Sequence, residues 1–208
     1  MEKISRRDRE RSVRREEIID AAEQEFTKYG YENVSMDSIA KESQFTKRTV
    51  YQYFSSKEEL FITVAARVHR RLIEYYKKEL NKKRDSYKTL HAIGFAYVQF
   101  AMEHPESLIL LKANFLPVDP SSPGLMELLA YRDEGLRIIS ELIRSGQKEK
   151  TIKSNLDPEK TALSITCLIV GYFHLIIRNL EDTNPAAIKG KHDMITNSLE
   201  LIFQGIRK

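Results

Sequence analysis

Two side chains that can read nucleic-acid bases stand four residues apart in the first quarter of the chain. Arg48 can form a forked hydrogen bond with a guanine edge, and Gln52 can form one with an adenine edge. Thr49, Tyr51 and Tyr53 lie beside them, and their hydroxyls can donate to phosphate oxygens. A solvated helix face is the simpler interpretation of the charges. Two exposed tyrosines beside those charges favour a nucleic-acid partner instead.

These side chains require a helix that turns its apolar residues inward. Val50 and Phe54 are spaced i, i+4, so they share one face, and Arg48 and Gln52 then point outward. Thr46 stands where an N-cap would begin this helix. The spacing therefore predicts a short helix with a buried pair and a polar outer face.

A second short helix before it completes a helix-turn-helix arrangement over about residues 35–54. Ser35 is its predicted N-cap, and its inward residues are Met36, Ile39 and Ala40. The turn spans residues 43–45, and the second helix of such a pair enters the major groove of DNA. Lys57 begins the next helix, where it can pair with a phosphate near that helix's N-terminal amides.

The rest of the chain is also helical in its periodicity, so we predict an all-α fold of about nine helices. Gly30 is expected to end the first helix and Gly146 a later one. Asp157 followed by Pro158 predicts an N-cap with proline at the first helical position. One irregular loop holds three of the six prolines, and no alternating strand pattern reaches convincing length.

Composition bounds the class of protein. The 208 residues include 34 Lys and Arg against 30 Asp and Glu, a net charge of +4, which permits a nucleic-acid partner without proving one. The single cysteine, Cys167, cannot form an internal disulfide, and we expect it to be a buried apolar residue. No secretory signal is recognisable at the N-terminus, and the uncharged stretch 162–177 is too short to span a membrane. We therefore expect a cytoplasmic protein without a membrane partner.

Residues 12–62 resemble the TetR family of transcriptional regulators. The resemblance is carried by the run Thr46–Phe54, by Ser56–Leu60, and upstream by Ile18–Ala22 with Phe26 and Gly30. Its motif, Thr-x-Tyr-x-Tyr-Phe followed by a lysine and a leucine, is specific. The turn departs from the family pattern, because Gln44 stands where glycine is common, at a position suited to positive φ. Arg48 also replaces a residue that is often glycine.

The resemblance implies a homodimer with two DNA-reading heads, a double-stranded DNA operator, and a C-terminal domain that binds a small-molecule effector. It implies phosphate contacts for Tyr51, Tyr53 and Lys57, and capping positions that also meet phosphate for Ser35 and Thr46. The positions that face base edges or the flanking backbone are Lys47, Arg48, Thr49 and Gln52. Two-fold symmetry would make the operator palindromic.

We therefore expect a DNA-binding domain over residues 1–56 and an effector-binding and dimerisation domain over residues 57–208. Residues 57–80 would form a helix that connects the two. Residues 1–11 form a basic tail, which could reach a minor groove as homeodomain arms do. A disordered tail that touches phosphates non-specifically is the favoured interpretation of it.

The C-terminal domain offers candidates for an effector pocket and for a dimer interface. Aromatic or polar-tipped side chains are the pocket candidates, although ordinary core packing explains each one as well: Tyr97, Phe100, Phe115, Tyr131 and His174. Two apolar faces on the stretch 162–177 suggest one face for the core and one for a partner. With the last helix they would form half of a four-helix interface: Ile165, Leu168, Tyr172, Ile176, Ile195, Leu199 and Ile202.

Two other classes remain as alternatives. An architectural DNA-binding protein would bind mainly through phosphates and ignore sequence. A helical enzyme is the other, but no catalytic motif, cofactor signature or metal-ligand spacing is recognisable. Residues 1–60 hold 12 basic against 13 acidic side chains, a net of −1. The region 67–84 holds eight basic against two acidic, a net of +6, for which the sequence suggests no function.

Overall fold

The computed structural model describes residues 5–112, 119–177 and 185–208. For residue 112 and for residues 172–177 and 185–192, it describes the backbone alone. Within these ranges the chain forms nine helices and one isolated antiparallel bridge between Ile152 and Arg207. The prediction of an all-α fold is confirmed. None of the helices in the described ranges combines the length and apolar character needed to cross a membrane.

Eight of the helices are α-helical, and a 3₁₀ helix lies between the fifth and sixth. In chain order they are α1 (Arg6–Tyr29), α2 (Met36–Glu42), α3 (Lys47–Tyr53), α4 (Lys57–Leu80), α5 (Ser86–Glu103), the 3₁₀ helix (Pro105–Lys112), α6 (Pro123–Lys148), α7 (Pro158–Ile177) and α8 (Pro185–Ile206).

The chain divides into two compact units. The N-terminal unit comprises the described parts of Met1–Arg70 and Glu106–Tyr131, and the C-terminal unit those of Arg71–Pro105 and Arg132–Lys208. This division follows packing, whereas the boundary at residue 57 was drawn by role and stays a prediction. Helix α4 contributes residues to both units.

Several helix ends follow their predicted signals. Gly30 follows α1 with φ 76°, and its N–H donates to the Phe26 carbonyl at 3.0 Å. The Asp157 carboxylate accepts from the N–H of Lys160 at 2.9 Å, as expected of an N-cap before Pro158. These ends are set by local backbone chemistry, which is why sequence alone identifies them.

Helix α6 ends later than predicted. It continues past Gly146 to Lys148, and Lys150 adopts the left-handed conformation with φ 61° that the sequence had assigned to a glycine. Gly146 instead allows a close approach, because a Cβ there would lie 2.6 Å from the Ile152 side chain. The glycine therefore serves packing, and a lysine bears the backbone strain of the helix end.

The start of the chain also differs from expectation. Helix α1 begins at Arg6, and the Ser5 hydroxyl caps it by accepting from the N–H of Asp8 at 3.1 Å. The favoured interpretation of residues 1–11 as a disordered tail is therefore wrong from Arg6 onward. The capping serine and the i, i+4 ion pair of Arg6 with Glu10 both favour a helix here.

Candidate functional site

The turn between α2 and α3 is tight and uses a left-handed residue. Gln44 has φ 58°, at the position where the resemblance led us to expect a backbone suited to glycine. The N–H of Phe45 donates to the Ala40 carbonyl at 2.9 Å, and the N–H of Ser43 donates to the Ile39 carbonyl at the same distance. These bonds close the end of α2 and fix the direction in which α3 leaves.

Both short helices are capped as predicted. The Ser35 hydroxyl accepts from the N–H of Ser38 at 3.1 Å, and the Ser38 hydroxyl accepts from the N–H of Ser35 at 3.2 Å. At α3, the Thr46 hydroxyl accepts from the N–H of Thr49 at 3.2 Å, and the two threonine hydroxyls lie 2.9 Å apart. Ser35 and Thr46 thus begin their helices while both remain on the surface.

Helix α3 has the two faces that its spacing predicts. Val50 is fully buried and Phe54 is 1% exposed, so this pair anchors the helix. Arg48 and Gln52 are exposed, and Tyr51 keeps 46% of its surface in solvent. Tyr51 sits between the two base-reading candidates, so α3 presents hydroxyl, guanidinium and amide groups on one accessible strip.

Lys47 already has a partner in the free protein. Its ammonium lies 2.7 Å from the Asp37 carboxylate, with more than half of each side chain exposed. The hydrogen bond to Asp37 raises the pKa of Lys47, so the lysine carries its positive charge at neutral pH. An exposed pair of this kind adds little stability, so a phosphate can compete for the lysine.

The first turns of α1 lie beside the end of α3. The Arg11 guanidinium is 6.0 Å from the centre of the Tyr53 ring, and the Arg15 guanidinium is 5.2 Å from that of Phe54. Tyr53 itself is half-buried. The basic residues of α1 are therefore held on a helix next to a predicted phosphate contact.

Lys57 has a structural role that sequence reasoning missed. Its ammonium donates to the carbonyls of Tyr31 at 2.9 Å and Val34 at 3.0 Å, and it lies 4.1 Å from the centre of the Tyr31 ring. These contacts join the start of α4 to the connection between α1 and α2. An ammonium has three donors, so one remains for the phosphate contact, which stays a prediction.

Tyr31 links the same two regions through a second hydrogen bond. Its hydroxyl donates to the Glu58 carboxylate at 2.5 Å, and its ring packs against Phe61 at 4.9 Å between ring centres. Burial raises the pKa of Tyr31 well above its usual range, and the bond to Glu58 raises it further. The same bond lowers the pKa of Glu58, because it favours the ionised carboxylate. The start of α4 is therefore held to the connection between α1 and α2 by the Tyr31–Glu58 hydrogen bond and by the hydrogen bonds of Lys57.

Arg67 accounts for part of the basic region 67–84. Its guanidinium pairs with Asp20 and Glu23 of α1, lies 3.8 Å from Glu16, and donates to the Ile19 carbonyl. Its side chain is only 16% exposed. The acidic residues that lower the charge of the first 60 residues are thus used to hold α1 against α4.

Further basic residues of this region pair within the C-terminal unit. Lys82 and Arg84 both pair with Glu79, and Lys77 pairs with Glu74 and Glu134. Two of these pairs are spaced i, i+3 and are visible in the sequence, whereas the pair of Lys77 with Glu134 joins α4 to α6 and is not. The excess positive charge of residues 67–84 is therefore partly neutralised.

The effector role of the residues named from the sequence stays a prediction, and the structure describes three of their side chains. Tyr97 lines a small cavity of about 20 Å³ in the C-terminal unit. Phe100 is fully buried and packs its ring against Tyr75 at 5.3 Å, away from the cavity lining. Tyr131 belongs to the N-terminal unit and is half-buried. Phe115 and the side chain of His174 lie outside the described residues.

The predicted dimer residues divide between core and surface. Ile165, Ile195 and Leu199 are at most 5% exposed, and Ile202 is half-buried. Leu168 is 55% exposed. The side chains of Tyr172 and Ile176 lie outside the described residues. Ile165, Ile195 and Leu199 pack into the core of their own chain, which periodicity could not show because both faces of α7 are apolar. A dimer contact for the residues named from the sequence stays a prediction.

The exposed face of α7 carries a different set of residues. Leu163 is 52% exposed, and Cys167 and Gly171 are exposed beside Leu168. The expectation that Cys167 is buried is therefore wrong for this chain. On α8, Leu201 is 63% exposed. Apolar side chains thus remain in solvent on both of the last two helices.

Residues 18–64 match the family described as "Bacterial regulatory proteins, tetR family". Over 189 residues the chain is 26% identical to the uncharacterized HTH-type transcriptional regulator YhgD of Bacillus subtilis, covering 90% of this chain and 93% of that protein. Over 198 residues it is 23% identical to the HTH-type transcriptional repressor NicS of Pseudomonas putida, with coverage of 93% and 92%.

A solved structure shares the fold. The fatty acid degradation regulator FadR from Bacillus halodurans superposes with a TM-score of 0.72 at 16% identity, covering 91% of this chain and 94% of that one. At this identity the likeness concerns the fold. It extends beyond the helix-turn-helix to the helices that follow.

Proposed function

The chain is a transcriptional regulator of the TetR family, and from this premise we propose that it represses transcription as a homodimer bound to a palindromic operator. A small-molecule effector would release it from DNA. The residues proposed to contact DNA are those named from the sequence: Ser35, Thr46, Lys47, Arg48, Thr49, Tyr51, Gln52, Tyr53 and Lys57.

The accessible strip of α3 carries this proposal. Arg48 and Gln52 are exposed on a helix that Val50 and Phe54 anchor from behind. Among the described residues neither side chain has a hydrogen bond that a base edge would have to displace. A major groove admits one helix, and guanidinium and amide forks match guanine and adenine edges there. Tyr51 between them supports a phosphate contact that sets the register.

The exposed apolar residues of α7 and α8 support the homodimer. Leu163 and Leu168 border the exposed face of α7 on its two sides, and Leu201 is exposed on α8. Exposed apolar side chains on two helices suit an isologous four-helix interface, in which both copies use the same patch. We propose that this surface, and not Ile165 or Ile195, forms the contact between protomers.

The names of relatives support a repressor more than an activator. NicS, similar over most of this chain, is a transcriptional repressor. FasR of Mycolicibacterium smegmatis is an activator, 30% identical over 110 residues, which is 53% of this chain. The direction of regulation is therefore proposed from the relative with the longer match.

Selection of bound sequences from a random DNA pool tests the proposal. We expect a palindromic consensus whose half-sites are centred one or more helical turns apart, about 34 Å or a multiple of it. An architectural protein would enrich no consensus, because phosphate contacts do not discriminate sequence. A single, non-repeated consensus would contradict the dimer while keeping sequence-specific recognition.

A further inference from the structure

Five helices meet at the cavity of the C-terminal unit. Its lining comes from α4, α5, α6, α7 and α8, with Tyr76 on α4 and Tyr97 on α5. Helix α4 also supplies the N-terminal unit with residues up to Arg70. A molecule in this cavity would therefore touch the same helix that begins at Lys57.

Most of the lining is aliphatic or aromatic hydrocarbon. Seven side chains are purely apolar: Leu90, Ile93, Ile139, Ile165, Ile169, Val170 and Phe203. The polar groups are the hydroxyls of Tyr76, Tyr97 and Thr166. Burial raises the pKa of both tyrosines above the usual value, so their hydroxyls stay protonated at neutral pH. Pockets of this type hold an apolar body and fix it with a few polar contacts.

Thr166 can accept a hydrogen bond from a bound molecule. Its own hydroxyl proton is used, since it donates to the Ala162 carbonyl at 2.9 Å. The remaining lone pair of that oxygen can accept from a ligand hydroxyl. On the α7 side of the cavity, the ligand group that fits is therefore a hydrogen-bond donor.

The cavity lining also disfavours a charged ligand. No Asp, Glu, Lys or Arg lines this cavity among the residues whose side chains are described. An ion moved into such a site loses its hydration, and no opposite charge compensates it. A neutral molecule with the same hydrocarbon body loses much less.

We propose that the effector is an uncharged molecule with an apolar body and one hydroxyl, bound where α4 and α7 meet in this cavity. The inference rests on the proposed regulatory function, to which it adds the chemical class of the effector. At about 20 Å³ the cavity holds no more than a water molecule, so the ligand enters by displacing lining side chains.

The Phe203 ring lines this cavity and packs closely on α5. It lies against Gly94, where a Cβ would be 2.6 Å from the ring, so the ring occupies the space that a larger residue at position 94 would fill. A slender chain needs the smallest displacement of this ring. An unbranched alkyl chain is therefore the probe of choice.

The test compares 1-octanol, octanoate and octylammonium, which share one hydrocarbon chain and differ in charge. Thermal unfolding of the full chain is followed by circular dichroism at equal free concentrations of each. We expect 1-octanol to raise Tm, as any ligand of the folded state does. We expect octanoate and octylammonium to leave Tm unchanged. A shift from either ion as large as that from 1-octanol overturns the proposal, and so does the absence of a shift from 1-octanol.

The variant Thr166→Val tests whether the ligand binds beside the Thr166 hydroxyl. It keeps the side-chain shape and removes the acceptor, so the affinity for 1-octanol should fall about 2- to 10-fold. The affinity for octyl methyl ether, which has no proton to donate, should not change. Ser164→Ala is the matched control, because Ser164 also donates to a helix carbonyl at 2.8 Å but is exposed. Equal affinities of both variants for 1-octanol would overturn the assignment of the ligand to this cavity.

Operator binding is measured on the same samples, which separates the two claims. If 1-octanol binds through Thr166 while the protein fails to recognise any DNA sequence, the proposed function fails and the cavity chemistry stands. If DNA is bound and the octanoate or octylammonium ion is the better ligand, the proposed function stands and the uncharged class fails.

Discussion

The two units of the protein differ in how their functional residues are oriented. In the N-terminal unit the candidate residues of α3 face solvent, and local signals fix them: Thr46 caps the helix, and Val50 and Phe54 anchor it. In the C-terminal unit the effector candidates Tyr97 and Phe100 are buried, and Tyr97 reaches a cavity where five helices meet. The proposed DNA contacts therefore depend on local structure, whereas the proposed effector site depends on tertiary packing.

The largest expected effect compares a core phenylalanine from each unit. Phe26 and Phe203 are both fully buried, so Phe26→Ala and Phe203→Ala should each lower the free energy of unfolding by about 3–5 kcal/mol. Only Phe203→Ala enlarges the effector cavity, so added 1-octanol should restore more stability to it than to Phe26→Ala. Urea unfolding with and without 1-octanol measures both. Equal rescue of the two variants would contradict the assignment of the cavity to the C-terminal unit alone.

The next effect concerns the proposed dimer surface. Leu168→Glu places a charge on the exposed face of α7. If that face is buried between protomers, the dimer dissociation constant should rise at least about tenfold, since an unpaired charge is costly to bury. Ser145→Glu, at an exposed position of α6, is the control and should leave the constant unchanged. Sedimentation equilibrium distinguishes them, and an unchanged dimer in both variants argues against this surface.

A smaller, pH-dependent effect is expected at the start of α4. The folded-state pKa of Glu58 is lowered mainly by the Tyr31 hydroxyl, so this contact stabilises the protein above the ordinary carboxyl pKa. That stability is lost as the pH falls through the lowered value. Tyr31→Phe should therefore cost about 1 kcal/mol at neutral pH and less in acid. Denaturant titrations at several pH values, with Tyr51→Phe as the control, test this; a penalty independent of pH would exclude the carboxylate.

The smallest effect belongs to the basic turns of α1. Arg9 and Arg14 are exposed on a helix beside the end of α3. If each neutralises a flanking phosphate, removing it should reduce the slope of log K against log salt by about 0.9 and leave base preference intact. Arg9→Ala and Arg14→Ala are compared with Lys41→Ala, an exposed lysine of α2. A slope that stays constant would show that neither Arg9 nor Arg14 neutralises a phosphate.

Features that depend on local structure were predicted from the sequence, whereas features that depend on tertiary packing were not. Caps, the turn at Gln44 and the inward pair of α3 depend on residues within a few positions of one another, and they were predicted correctly. The hydrogen bonds made by Lys57 and Arg67 join residues more than 20 positions apart, so the spacing of residues in the sequence does not reveal them.

The limit of prediction from the sequence is clearer in the C-terminal unit. Helix α7 is apolar on more than one face, so periodicity could not decide that Ile165 points into the core and Leu168 into solvent. For the same reason the sequence wrongly predicted that Cys167 is buried. A glycine likewise predicts a helix end only when nothing packs against it, and Ile152 packs against Gly146.

Base recognition by α3 is the step on which the proposed function depends most. Binding of the selected operator, and of every single-base variant of it, is measured for the parent protein and for Arg48→Ala and Gln52→Ala. We expect each substitution to relax the base preference by about 1–3 kcal/mol, at a guanine for Arg48 and at an adenine for Gln52, symmetrically in both half-sites. A uniform loss of affinity with every base preference retained would contradict base recognition by α3.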